Sequence, residues 1–133
     1  MRKQDIVVTS PGVVMLLRLV CFTLTCALAL PALADFTKVQ NEAQFKQIVA
    51  GKTLTRPLVK LQVSPEGTIS GKGLRWPVEG SWNWQNGYFC RDLYWGGSEL
   101  GYNCQEVRVR GGKIRFTSDR GKGDFADFRL RSD

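Results

Sequence analysis

With no histidine among its 133 residues, the carboxylates are this sequence's most direct candidates for acid–base chemistry. That absence removes Ser-His-Asp and Cys-His arrangements, in which imidazole activates the nucleophile. Asp92, Glu99, Asp119, Asp124 and Asp127 could supply an acid and a base. Each lies near a basic residue or in a turn, which is the setting of a solvated or salt-bridged side chain. The segment DRGKGD, Asp119 to Asp124, has the glycines and lysine of a phosphate loop but lacks the Gly-x4-Gly-Lys-[Ser/Thr] pattern. It reads as a hairpin turn. No catalytic residue is assigned, and the expectation is that the chain is not an enzyme.

Binding chemistry is better represented. The stretch GSWNWQNGYFCRDLYWGG, residues 80 to 97, holds three of the four tryptophans and two of the three tyrosines. Trp76, Trp82, Trp84, Tyr94 and Trp95, with Arg75 and Arg91, form the candidate ligand-binding set. The rings would stack on an apolar group and the guanidinium groups would pair with an anion. The competing use of these rings is structural. Each buries about 150–250 Å², and a domain of this size needs that area for its core.

Four cysteines are present, at positions 21, 26, 90 and 104. Two thiolates with no histidine do not complete a tetrahedral zinc shell, so no metal and no cofactor is implied. The first 34 residues read as a signal peptide. Arg2, Lys3 and Arg18 precede an apolar run from Leu19 to Leu30, and Ala32-x-Ala34 offers the small side chains of a cleavage site. The run is shorter than the roughly 20 residues a membrane span needs. Met15 is an alternative start of the same leader. Cleavage after Ala34 leaves a single domain, 35–133, with Cys90 and Cys104 as an even pair in an oxidising compartment, where a disulfide is expected.

The elements that must carry these residues follow from spacing. Asn41 and Gln44 fit a capping box. Phe45, Ile48 and Val49 share a helical face, and Gly51 can end the helix, which is predicted over 42–50. Beyond Lys52 the apolar period becomes two. Val59, Leu61 and Val63 alternate with polar residues, and Pro65-Glu66-Gly67 turns the chain into a strand at 68–74. Val78, Gly80, Trp82 and Trp84 share one strand face. Asn86-Gly87 is a strong hairpin signal, since both positions of a type I′ turn need positive φ. Strands at 88–95 and 102–110 pair around Gly97, which sets Cys90 opposite Cys104, Asp92 opposite Tyr102 and Arg91 opposite Asn103. A last hairpin pairs Ser118 with Asp124, so that Phe116 faces Ala126 and Ile114 faces Phe128. About seven short antiparallel strands and one N-terminal helix result. A chain this short leaves few edges exposed by curling into a meander or a small lipocalin-like barrel, with the helix against one opening or face.

At GYFCRDLYWGG, NCQ and RFTSDRGKGDFADFRLR the sequence resembles a family of short exported bacterial proteins, some of which carry the label dihydrodipicolinate reductase. The resemblance covers Phe36 to Arg131. The pattern of Gly-x-Trp, a Cys, then Cys-x-x-Val also faintly resembles small secreted domains with lipocalin-like barrels. The reductase label would imply a dinucleotide-binding turn between strand and helix. This sequence has no Gly-x-Gly-x-x-Gly after a strand, so no catalytic position carries over.

Residues 35–133 carry 16 basic and 11 acidic side chains, with no basic run longer than two. Scattered charge of this kind solvates strand faces and draws the molecule towards acidic surfaces. Nucleic acid is a poor partner for an exported chain, and no stable membrane span remains after cleavage. The expected role is therefore a periplasmic or secreted binding module for a small amphiphilic ligand or an envelope component. The alternative is a module that binds or inhibits another exported protein.

Overall fold

The computed structural model describes residues 35–132, and the predicted leader at 1–34 lies outside the described residues. The chain runs through β1 (Thr37–Lys38), α1 (Glu42–Val49), β2 (Lys52–Arg56), β3 (Val59–Val63), β4 (Thr68–Gly73), β5 (Trp76–Gln85), β6 (Tyr88–Trp95), β7 (Ser98–Arg110), β8 (Lys113–Thr117) and β9 (Phe125–Ser132). Successive strands from β2 to β9 pair antiparallel, and β9 returns to pair with β2. Eight strands thus close an up-and-down barrel, where about seven were expected. Closure leaves no long unpaired edge. β1 takes the free edge of β7 with Thr37 opposite Val109.

The missing strand boundary was the one at Pro57–Leu58. The chain reverses there in a two-residue turn with Leu58 at φ +65°, and the apolar positions change phase across it, from Leu54 before to Val59, Leu61 and Val63 after. No glycine or asparagine marks the turn. The other hairpins follow their turn chemistry. Asn86 and Gly87 both have positive φ, at 50° and 86°. Ile114 faces Phe128 and Phe116 faces Ala126, while Cys90 faces Cys104 and forms the disulfide with it.

Helix α1 starts as its sequence requires. Asn41 Oδ1 accepts from the Gln44 N–H at 2.9 Å, and Gln44 Oε1 accepts from the Gln40 N–H. The helix lies at the end of the barrel where β2 begins. Its Phe45 is fully buried and meets Trp82, Phe89 and Trp84 at ring-centroid distances of 5.0, 5.0 and 5.4 Å. Phe116 and Phe128 extend the same cluster. One half of the barrel is therefore filled with rings and plugged by the helix.

The other half is built with less. Gly71, Gly73, Gly80 and Gly101 occupy inward positions opposite Leu61, Trp76, Ile69 and Leu93. A Cβ at Gly80 would stand 2.1 Å from the Asp92 carbonyl oxygen, and one at Gly71 the same distance from that of Lys60. The strands approach too closely at these two positions for a side chain, and at Gly73 the Trp95 indole stands 3.0 Å from where a Cβ would be.

Candidate functional site

The open half ends in a mouth formed by the β2–β3, β4–β5 and β6–β7 connections. The β8–β9 connection turns aside. Its Ser118–Gly121 turn, with Asp119 and Arg120 at positive φ, is held against β7 by Asn103, which both donates to Asp119 Oδ1 and accepts from the Asp119 N–H.

Within the mouth is a depression of about 410 Å³ bordered by Pro57, Leu58, Leu74, Val78, Trp95 and Leu100, with Arg56 at its edge. Leu61 and Leu93 belong to its wall and also to that of a deeper space of about 170 Å³ inside the barrel. That inner space is lined by Leu54, Val63, Ile69, Phe89, Phe116 and Phe128, together with Gln105 and Arg91. It has room for about six water-sized groups. Arg91 is the charged member of the lining. It sits on β6 between Phe89 and Leu93, two inward apolar positions, and Nη1 donates to the Gly101 carbonyl at 2.7 Å. A guanidinium carries five N–H donors, so this bond leaves donors for a second acceptor. Burial pushes the Arg91 pKa down, partly offset by the neighbouring Asp92. An anion brought beside it would restore the stabilisation that burial removes.

The candidate residues divide between the two halves. Trp95 lines the mouth, and its Nε1 donates to the Gly73 carbonyl at 2.9 Å. Arg91 lies deeper in the same barrel. Trp76 is half exposed beside the mouth, close against Gly96, and Arg75 is exposed in the β4–β5 connection. Trp82 and Trp84 lie at the helix end, packed on Phe45, and Trp82 Nε1 is bonded to the Ser64 carbonyl. Tyr94 is on the outer face, opposite Glu79 and partly exposed. The structure therefore brings Arg91, Trp95, Trp76 and Arg75 to one end and removes Trp82 and Trp84 to the other.

Leu58, Leu74, Leu93, Leu100 and Arg56 belong to the site and were not singled out from sequence. Position alone could have flagged two of them: a leucine in a two-residue connection has no core to enter. The carboxylates do not assemble. Asp127 binds Arg115 on the outer face and Asp119 binds Asn103. Among the described residues no three His, Cys, Asp or Glu side chains come together as metal ligands. No helix among them is long and apolar enough to cross a membrane. No family model, curated protein or solved structure matches the chain.

Proposed function

We propose that this is an exported, non-enzymatic binding protein that takes a small acidic amphiphile into its barrel, with the acidic group on Arg91 and the apolar part between Leu61, Leu93 and the mouth. The observation that carries the reading is a half-buried arginine in an otherwise apolar inner space that opens through an apolar mouth. Ligand cavities have this composition: a mostly apolar lining with a few polar groups that fix orientation. Export is supported by the leader-like residues 1–34 and by the Cys90–Cys104 disulfide, a bond that persists in oxidising compartments. The reductase activity that the sequence resemblance would imply calls for a glycine-rich turn between a strand and a helix, which residues 35–132 do not contain. Purified protein is expected neither to bind nor to oxidise NADPH.

The test is a titration of the protein with decanoate and with decanol, followed by tryptophan fluorescence and by calorimetry. Decanoate is expected to bind, and decanol more weakly. If neither binds, or if both bind equally, the reading fails. A protein that ignores both but captures an exported protein through the mouth would replace it with the interaction-module alternative.

A further inference from the structure

Two features on the β2–β3–β4 side of the mouth are costly, and bordering the depression does not offset that cost. Leu58 and Leu74 are 73 % and 56 % exposed, and both hold positive φ, at 65° and 56°. A bulky side chain is disfavoured in that region of backbone space, where glycine or asparagine is the usual occupant. Neither leucine recovers this cost by burial. The two tips are also joined: the Leu74 N–H donates to the Leu58 carbonyl at 2.7 Å, so they project as one unit. Just below them Lys60 and Lys72 stand directly opposite each other across β3 and β4, both exposed. Like charges directly opposite on a sheet are destabilising. Arg56 and Arg75 lie beside the tips in sequence, both exposed, with the Arg56 guanidinium also 5.7 Å from the Phe128 ring centre, so four basic residues accompany two exposed leucines. The acidic residue of the mouth connections, Glu99, lies on the far hairpin with Leu100.

We propose that this edge docks on an anionic phospholipid bilayer, with Leu58 and Leu74 inserted among the headgroups and the opposed Lys60–Lys72 pair taking a lipid phosphate. Apolar tips with a basic collar are what an interfacial anchor needs: buried apolar area together with attraction to anionic lipid. A phosphate between the two lysines turns their repulsion into a shared contact. A second copy of the chain fits the edge less well, because mouth-to-mouth pairing would bring the same four cations together. The half-exposed indole of Trp76, next in sequence to Arg75, is placed as interfacial tryptophans are. Docking in this way turns the barrel mouth towards the bilayer.

The test is co-sedimentation with vesicles of phosphatidylethanolamine and phosphatidylglycerol, compared with vesicles of phosphatidylcholine alone. The protein is expected to bind the anionic vesicles, less so as salt is raised. Two double variants isolate the parts, and neither should harm the fold. Leu58→Asn with Leu74→Asn places a residue that tolerates left-handed φ at both tips. Lys60→Gln with Lys72→Gln removes the repulsion. Each is expected to keep or raise the melting temperature and to weaken vesicle binding by at least about tenfold. All proteins share the same N-terminus, so the differences read the edge alone. Unchanged binding by the asparagine variant, or equal binding to both vesicle types, would overturn the proposal. The decanoate titration is made on the unsubstituted protein, because Leu58 and Leu74 also border the mouth, and its failure leaves the vesicle result standing.

Discussion

Arg91 reaches from the inner wall of β6 to the carbonyl of Gly101 on β7, with Nη1 and the oxygen 2.7 Å apart. Gly101 is at φ +81° and faces Leu93, so the arginine lies along the inner surface beneath the mouth. A half-buried cation held by one backbone carbonyl is poorly compensated for its loss of water.

Replacing Arg91 with methionine should therefore leave the melting temperature unchanged or raise it, since a desolvated charge becomes an apolar side chain of similar reach. The same variant should lose the preference for decanoate over decanol, with decanoate affinity falling about 10- to 100-fold, the range of a hydrogen bond to a charged group. Thermal unfolding and calorimetry on one preparation check both halves. A variant that is less stable and still prefers decanoate would show that Arg91 only fastens β6 to β7.

The disulfide closes the β6–β7 hairpin, joining residues 14 apart in sequence. A loop of about that length is worth roughly 3 kcal/mol in the chain-entropy description. For a domain of about 100 residues this corresponds to a melting temperature lower by about 12–24 °C in the Cys90→Ala, Cys104→Ala double variant. Scanning calorimetry reads it directly, and reduction of the wild type should reproduce the shift.

Phe45 is the plug of the closed end and touches four rings of the barrel wall. Truncation to alanine should cost about 3–5 kcal/mol, the range for a fully buried phenylalanine. Chemical denaturation with an unchanged m-value would attribute the loss to the cavity. Substitution of Tyr102, more than half exposed on the outer face, should change stability by no more than about 0.5 kcal/mol.

Acid should weaken the fold through Asp127. Its carboxylate accepts two bonds from Arg115, at 2.7 and 2.8 Å, and this pairing holds its pKa below the usual carboxylate range. Between the lowered value and the unfolded value near 3.9 the unfolded chain binds more protons. The contribution is fully present above about pH 5 and disappears as pH falls through the folded pKa. Stability measured against pH should show an acid limb that is shallower in Asp127→Asn.

Local pairing was legible because a short turn fixes register and register fixes which side chains meet. Asn86-Gly87 set β5 against β6, whereas the Gly96-Gly97 turn pairs Trp95 with Ser98 and a register shift between Leu93 and Tyr94 is what brings Cys90 opposite Cys104. The Pro57–Leu58 turn was missed because leucine is not a residue expected in left-handed conformation, although Pro57 and the change of apolar phase from Leu54 to Val59 both mark the position. The tryptophans show the same limit at the site. Trp82, Trp84 and Trp95 all point inward, as their spacing requires, but depth along the barrel separates them: two face Phe45 and one faces the mouth.

By itself, then, the amino-acid order determined the helix, the strands other than the β2–β3 boundary, their neighbours along the chain and the pairing of the two cysteines. These depend on contacts within one hairpin or one helical turn. Only the tertiary structure decided that β9 returns to β2, with Leu54 opposite Leu130, and which end of the closed barrel is filled and which is open. Those outcomes rest on contacts between residues far apart in the chain. The helix brings its phenylalanine to one end, and the inward glycines withhold side chains from the other, so the space around Arg91 exists only once all eight strands have closed.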